Sequence, residues 1–165
     1  MTIQIRPYQY IDLPQIQTLN TKVKPYRPED TSIIDAMKEH ARAAQVAGDP
    51  RWIHDAPPLP SLEEAVENYL GFWVAVDEAT GNVMGMVGID FVGRGPEIHD
   101  NMPFAEGWRG REDVAELRYV RVDPDCRRQG VGTLLNQTAI DWCHANGFQR
   151  IICNTTSPQL PALKL

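Results

Sequence analysis

The most informative part of the hydrophobic pattern is a strand-like segment followed closely by a helix-like one. Residues 117–122 are rich in aromatic and β-branched side chains, and Asp123-Pro124 ends that run. From Val131 onward the pattern has the i, i+3, i+4 spacing of an amphipathic helix. Its positions are Val131, Leu134, Leu135, Thr138, Ala139, Trp142 and Cys143. Gly147 follows the last turn and is expected to end this helix as a C-cap.

Shorter apolar segments predict the remaining elements. The predicted strands are residues 3–5, 72–76, 83–92, 115–122 and 149–154. The other predicted helices are residues 13–21, 31 or 32 to about 47, 61–70, and a last one from about 159. Asp12 is expected to cap the first of these, and Ser61 with Glu64 forms a capping box for the helix at 61–70.

The order of these elements is β-α-α-α-β-β-β-α-β-(α), with no internal repeat. A strand meander followed by a β-α-β crossover predicts an α/β fold, with a mixed sheet and helices on its faces. The 165 residues suit a single domain spanning residues 1–165. Gly85 and Gly88 lie inside a predicted strand and are expected to mark the close approach of another backbone or a ligand.

The loop between the strand and the long helix has the chemistry of an anion site. The first amides of a helix lack intrahelical partners and lie at the positive end of its dipole. Gly130 and Gly132 let the backbone come close to a bulky anion, and Arg127 and Arg128 add positive charge. These features predict a diphosphate site, although a capped helix with incidental glycines is the alternative. Neither the Walker sequence nor G-x-G-x-x-G is present.

The same loop resembles a family signature. Arg127-x-x-Gly130-x-Gly132, entered from a strand that ends Val120-Arg-Val122-Asp-Pro, is similar to the acetyl-CoA signature of the GNAT superfamily of N-acetyltransferases. The resemblance implies a GNAT-like acyl-CoA N-acyltransferase fold, with acetyl-CoA as co-substrate and no metal. The residues that it implies for co-substrate binding are Val120, Arg121, Val122, Arg127, Arg128, Gln129, Gly130, Val131, Gly132, Thr133 and Asn154.

The resemblance also implies direct transfer of an acetyl group to a primary amine. In the family, the main chain at the positions of Val120 and Val122 hydrogen-bonds the pantetheine arm, and an amide near Val122 would polarise the acetyl carbonyl. A bulge that splays two strands apart leaves those groups available; without it they would pair with the next strand. Asn154 matches a CoA-contacting asparagine, although an asparagine there also suits a turn.

Glu116 is the candidate general base, because an ammonium group must lose a proton before it attacks a thioester. It stands eleven residues before Arg127, where some GNAT members that acetylate lysine carry a catalytic glutamate. Alternation places Glu116 and Arg118 opposite Leu117 and Tyr119, unless a bulge intervenes. The alternative is that Glu116 only pairs with Arg118.

Composition and charge limit the classes of molecule that the protein is expected to bind. The net charge of −6 argues against nucleic acid, whereas the local basic cluster of Arg118, Arg121, Arg127 and Arg128 suits a small polyanion such as CoA. No apolar run approaches the roughly 20 residues that span a bilayer, and residues 1–6 lack a signal-peptide core. Three cysteines at unrelated spacings indicate reduced thiols, so a cytoplasmic protein without a membrane partner is expected.

The C-terminal region departs from the family pattern. Many GNAT members carry a tyrosine that protonates the CoA sulfur, followed by a strand pair that closes the sheet, but here no tyrosine follows Tyr119. The expectation is therefore a GNAT-like fold lacking the last strands, with an open edge at residues 150–154 and a homodimer through the C-terminal region. A non-catalytic acyl-CoA-binding or assembly module is the alternative function.

No motif identifies the acceptor, a small-molecule or peptide amine that is expected to contact residues 22–60 and 93–113. Candidate pocket residues, each also suited to anchoring a core or loop, are Trp52, His54, Asp55, Trp73 and Trp108. Nearby positive charge is expected to lower the pKa of Cys126, but no base for a nucleophilic cysteine is evident. Cys143-His144 lacks a second ligand pair, so no metal site is predicted.

Overall fold

The computed structural model describes residues 2–23, 62–92, 107–108 and 110–153. Five strands are described: β1 (Ile3–Pro7), β2 (Gly71–Asp77), β3 (Val83–Phe91), β4 (Val114–Val122) and β5 (Arg150–Cys153). Three α-helices accompany them: α1 (Leu13–Lys22), α2 (Leu62–Asn68) and α3 (Val131–Ala145). Short 3₁₀ turns cover Tyr10–Asp12 and Pro124–Cys126. The predicted helices at 31–47 and from 159, and the cap at Ser61, lie outside the described residues.

The strands form one mixed sheet in the order β1-β2-β3-β4-β5. Neighbouring strands are antiparallel from β1 to β4, whereas β4 and β5 are parallel. Because parallel neighbours need a crossover, α3 connects β4 to β5 across one face of the sheet. Within the described part of the chain, β5 is an edge strand. The α/β mixed sheet predicted from the sequence is confirmed.

Both faces of the sheet are covered. On one face α3 buries four side chains against β2, β3 and β4: Val131, Leu135, Ala139 and Cys143. On the other face α1 and α2 pack Ile16, Leu19 and Val66 against Phe72, Val74 and Met86. Every residue from Val83 to Asp90 is buried, as expected for a strand with helices on both sides.

The two glycines of β3 mark close contacts, one on each face, as predicted. A Cβ atom at Gly85 would lie 2.8 Å from the Arg121 carbonyl oxygen and 2.9 Å from Leu135 of α3. A Cβ atom at Gly88 would lie 2.5 Å from the Tyr69 ring. Glycine at position 85 therefore allows the first turns of α3 to lie directly on the sheet.

The predicted cap is present at the C-terminus of α3 and absent at the N-terminus of α1. Gly147 has φ +83°, and the amides of Gly147 and Phe148 donate to the carbonyls of His144 and Cys143, so the predicted glycine C-cap is confirmed as a Schellman motif. The side chain of Asp12 does not cap α1, contrary to the prediction. It accepts hydrogen bonds from Arg6 at 2.7 Å and from the Gln9 amide at 2.9 Å.

We predict that Gly85→Ala destabilises the protein by about 1–3 kcal/mol, because the added methyl group overpacks the contact between β3 and α3. Equilibrium urea unfolding measures this as a lower midpoint at an unchanged slope. Gly107→Ala is the matched control, since a Cβ atom there meets no atom within 4 Å. Equal stability of the two variants would contradict the proposed tight packing.

Candidate functional site

A β-bulge interrupts β4 at its centre. Across the β3–β4 pair, Gly88 is opposite Arg118 and Met86 is opposite Arg121, so Tyr119 and Val120 together face a single residue of β3. Tyr119 has φ +49°, which is unusual for a residue with a side chain. The extra residue changes which side chains face each side of the sheet.

Tyr119 does not share a face with Leu117, because the bulge that was the stated exception to the predicted alternation is present. Leu117 packs in the core beneath α3, whereas the Tyr119 ring lies 5.9 Å from the Tyr69 ring and 6.5 Å from the Phe72 ring on the α1 face. Arg118 is paired with Gly88, whose missing side chain would also point at Tyr69. Arg118 and Tyr119 are therefore on the same side of the sheet.

The parallel β4–β5 pair is described over four residue pairs. Its described register runs from Val114 opposite Arg150 to Leu117 opposite Cys153, whereas β4 continues alongside β3 as far as Val122. Within the described residues, positions 118–122 of β4 thus have a partner strand on one side only. An open groove of about 420 Å³ runs between α3 and β5, and Leu117 and Cys153 are among its lining residues.

The chain reaches α3 through a tightly hydrogen-bonded turn. The amide of Asp123 donates to the Met84 carbonyl, and the Asp123 carboxylate accepts from the Asp125 amide at 2.9 Å. Arg128 and Gly130 then adopt positive φ angles of 63° and 83°. Such changes of handedness turn successive amides toward one side, which is the geometry of an anion-binding nest.

The N-terminus of α3 has no side chain covering it from the N-cap position. Gly130 is the N-cap residue, and its carbonyl accepts the hydrogen bond from the Leu134 amide. A Cβ atom at Gly130 would meet nothing within 4 Å, so open space lies in front of this turn. The residues beside it, Arg127, Arg128 and Gln129, are exposed. Uncapped amides, open space and two guanidinium groups fit a diphosphate.

Lys22, the last residue of α1, anchors this loop. Its Nζ atom lies 2.7 Å and 2.9 Å from the two carboxylate oxygens of Asp123, and 2.7 Å from an oxygen of Asp125. The sequence did not reveal this contact, because its partners are about a hundred residues apart along the chain. Lys22 offsets one of the two negative charges of Asp123 and Asp125, which reduces their repulsion of an anion at the adjacent loop.

Glu116 and Arg118 form a buried ion pair. Glu116 Oε2 lies 2.8 Å from Arg118 Nη2, and the two side chains are 5% and 7% exposed. Asp90, also buried, is opposite Glu116 in the β3–β4 register. The pairing with Arg118 considered from the sequence is therefore present. The ion pair does not test whether Glu116 acts as the general base, and that assignment stays a prediction.

A family model described as the acetyltransferase (GNAT) family matches residues 34–165. The chain belongs to the GNAT acetyltransferase family. A probable N-acetyltransferase of Xenopus laevis, camello, is 33% identical over 94 residues, which is 57% of this chain and 35% of that protein. The match thus spans about a third of the relative's length.

Solved GNAT structures share the fold. A GNAT acetyltransferase from Staphylococcus aureus Mu50 aligns with a TM-score of 0.59 at 17% identity, covering 99% of this chain and 80% of its own. A GNAT acetyltransferase from Brucella melitensis in complex with acetyl-CoA aligns with a TM-score of 0.56 at 14% identity, covering 98% and 81% of the two chains. At these identities the comparison establishes the GNAT fold alone.

The predicted binding residues do not all lie on the same side of the sheet. Arg121 is opposite Met86 in the register, and its guanidinium carbon lies 5.8 Å from the centre of the Tyr119 ring, so its side chain is on the α1 face. Burial lowers the pKa of Arg121. Arg127 to Thr133 lie instead at the start of α3. Asn154 falls outside the described residues.

Two of the residues suggested for an acceptor pocket, Trp73 and Trp108, have structural contacts instead. Trp73 is a core residue stacked edge-on against Trp142, and Trp108 lies beneath the guanidinium groups of Arg111 and Arg150. Both therefore anchor structure. Residues 52–55 lie outside the described ranges.

Burial affects the thiols of Cys126 and Cys143. The pKa of Cys126 is raised by burial and by the nearby carboxylates of Asp123 and Asp125, so the expected lowering is wrong. Burial also raises the pKa of Cys143 to about 11.

In the described ranges no three His, Cys, Asp or Glu side chains come together as a metal site would require. No helix among the same residues combines the length and apolar character that a bilayer crossing needs.

We predict that Lys22→Met raises the pKa of Asp123. In the native protein burial raises this pKa, but hydrogen bonds from Lys22 and from the Asp125 amide outweigh burial and lower it below its usual value. The stabilisation from this contact is consequently present above the usual aspartate pKa and is lost as the pH falls through the lowered value.

Carbon-13 NMR titration of the Asp123 carboxyl measures the effect, and hydrogen exchange of the Cys126 amide reports on the turn. We expect a higher titration midpoint and faster exchange in Lys22→Met, with both restored in Lys22→Arg because that side chain keeps the charge. An Asp123 midpoint that is identical in all three proteins would show that Lys22 does not hold the loop.

Proposed function

We propose that this chain transfers an acetyl group from acetyl-CoA to a primary amine by direct attack of the amine on the thioester. The observation that supports the proposal best is the bulge in strand β4, which lies close in the chain to the uncapped N-terminus of α3. One feature suits a thioester arm and the other suits a diphosphate, and a single connecting turn of the chain joins them. Membership of the GNAT family supports the same reaction.

The diphosphate would be held at the start of α3. Arg127 and Arg128 supply charge, and the main chain from Gln129 to Thr133 supplies amides that lie at the positive end of the helix dipole. Gly130 leaves the approach open. Lys22 reduces the repulsion from Asp123 and Asp125 behind this loop.

The pantetheine arm would lie along β4 beyond Leu117, where the described pairing with β5 stops. Main-chain groups of Val120 and Val122 would hydrogen-bond the arm in place of a neighbouring strand. An amide near Val122 would polarise the acetyl carbonyl, because a fixed backbone dipole stabilises developing negative charge without reorganising. Acetyl-CoA supplies the activated acetyl group.

The acceptor amine must reach the thioester uncharged. We assign the removal of its proton to Glu116, directly or through a water molecule. The amine nitrogen then bonds to the acetyl carbon as the carbon–sulfur bond breaks, and CoA leaves as the thiolate. The acceptor is a small-molecule or peptide amine.

We predict that Gly132→Leu weakens CoA binding while the protein stays folded. Leucine is a better helix former than glycine, so the variant should be at least as stable in its helix, but its side chain blocks the approach of the diphosphate to the amides. Isothermal calorimetry with CoA measures the affinity, and circular dichroism with urea unfolding checks the fold. We expect at least about a tenfold loss of affinity, or about 1.4 kcal/mol.

The control for Gly132→Leu is Gln137→Leu, on an exposed position of the same helix. It should bind CoA as the native protein does. If neither variant changes the affinity, CoA does not bind at the start of α3, and if the native protein shows no binding heat, the proposed function fails.

We predict that the roles of Glu116 as ion-pair partner and as base can be separated. Glu116→Gln removes the carboxylate from a buried ion pair, so it should lose both stability and activity. The double variant Glu116→Gln, Arg118→Met removes both charges and should recover much of the stability. Its kcat should stay at least about a hundredfold below native, the scale of general-base catalysis.

Urea unfolding and thiol release from acetyl-CoA, followed with an amine panel, measure these two effects. The KM for acetyl-CoA should remain close to native in the double variant, because the diphosphate loop is unchanged. Recovery of kcat together with stability would assign Glu116 a purely structural role.

A further inference from the structure

Arg121 is a half-buried cation whose surroundings in the described residues supply no carboxylate. Its Nε atom is buried without a hydrogen-bond partner, and its Nη1 atom reaches only the carbonyl of Val120, at 3.4 Å. The remaining contact is the face of the Tyr119 ring, 5.8 Å from the guanidinium carbon. Burial of the group has already removed part of its hydration.

The other arginine and lysine side chains of the described segments are either paired or exposed. Arg6, Lys22, Arg111, Arg118 and Arg150 each lie within 3.3 Å of a carboxylate oxygen. Arg127 and Arg128 are exposed to solvent. Arg121 alone among these combines partial burial with the lack of a described acidic partner.

This situation is costly for the free protein. A guanidinium group stays protonated even where burial lowers its pKa, so Arg121 cannot escape the cost by becoming neutral. The Tyr119 ring compensates for part of it through a cation–π contact. Most of the donors of the guanidinium fork are left without a described acceptor, and such a fork matches a carboxylate or a phosphate.

The position of Arg121 suggests which molecule carries that anion. The neighbouring glycine of β3, Gly85, points toward Val131 and Leu135 of α3, and Met86, opposite Arg121, points to the α1 face. Arg121 therefore faces away from the helix whose N-terminus fits the diphosphate. It lies one residue beyond the bulge, on the side of β4 that the thioester arm would leave to the acceptor.

We propose that Arg121 binds an anionic group of the acceptor, so that the preferred substrate is an amine that also carries a carboxylate or a phosphate. This inference rests on the proposed acetyl transfer for the identity of the bound molecule. Arg121 acts here as a specificity-determining residue, and the bond-forming step is the one already described.

The first test compares matched acceptors that differ only in charge. Glutamate against glutamine, alanine against alaninamide, and glucosamine 6-phosphate against glucosamine are assayed by thiol release from acetyl-CoA. We expect the native protein to prefer the acidic member of at least one pair by at least tenfold in kcat/KM. In Arg121→Gln that preference should disappear through a higher KM for the acidic acceptor, while Arg121→Lys retains part of it.

The KM for acetyl-CoA should be the same in the native protein and in Arg121→Gln. An equal loss for the acidic and neutral members of every pair, or a raised KM for acetyl-CoA, would overturn the proposal. A preference confined to carboxylates or to phosphates would identify the anion.

A second test does not depend on turnover. The thermal midpoint is measured in sodium acetate, sodium phosphate and sodium chloride at equal ionic strength. The native protein should be stabilised by acetate or phosphate relative to chloride, and Arg121→Gln should lose the part of the effect that Arg121→Lys keeps. An identical anion response in native protein and Arg121→Gln would overturn the proposal even if acetyl-CoA binds.

The two tests distinguish a failure of the proposed acetyl transfer from a failure of the proposed anion site at Arg121. Binding of CoA without turnover of any amine would contradict the proposed acetyl transfer, while the anion response would still decide whether Arg121 is an anion site. Turnover without any charge preference would support acetyl transfer and refute the role of Arg121.

Discussion

The geometry of the candidate site depends on one extra residue in β4. Two residues, Tyr119 and Val120, face one residue of β3, and the positive φ of Tyr119 accommodates the irregularity. A bulge increases the twist of its strand and disrupts the ladder locally. Here the strand keeps its pairing with β3 up to Val122, while the described pairing with β5 ends at Leu117. The irregularity also places Arg118 and Tyr119 on the same face of the sheet, whereas neighbouring residues of a regular strand alternate between faces.

The second requirement is that the start of α3 be held close to that strand. Gly85 allows Val131 and Leu135 to pack directly on β3, and the Schellman motif at Gly147 ends the helix so that β5 can return parallel to β4. Lys22 ties the connecting turn to α1 from the opposite side. Two separate contacts, at Gly85 and at Lys22, thus fix the N-terminus of α3, and the motif at Gly147 fixes its other end. An anion site made largely of backbone amides needs this, because amides cannot adjust their position as side chains can.

Most of the described elements could be predicted from the sequence because their signals are local. The amphipathic period of α3, the glycines of the loop and the close approach at Gly85 each require only neighbouring residues to be recognised. The errors arose where a distant contact or an irregularity decides. A two-residue period cannot locate a bulge, so the face of Tyr119 could be predicted only for a regular strand. Asp12 has the side chain of a helix cap but accepts its hydrogen bonds from Arg6 and Gln9, and the pKa of Cys126 is raised by burial and by the carboxylates of Asp123 and Asp125.

The two arginines of β4, Arg118 and Arg121, differ in how their charge is compensated. Glu116 lies two residues before Arg118 on the same face and pairs with it at 2.8 Å. Arg121 lies beyond the bulge, where the residue two positions before it is Tyr119, whose ring is its main described contact, while Asp123, two positions after it, is paired with Lys22. The chain carries an excess of six negative charges, so carboxylates are not scarce. A buried cation left beside a ring in so acidic a chain is better explained by an anion that arrives from outside than by a fold that needs the charge for itself, because a neutral side chain of similar length would pack there at lower cost.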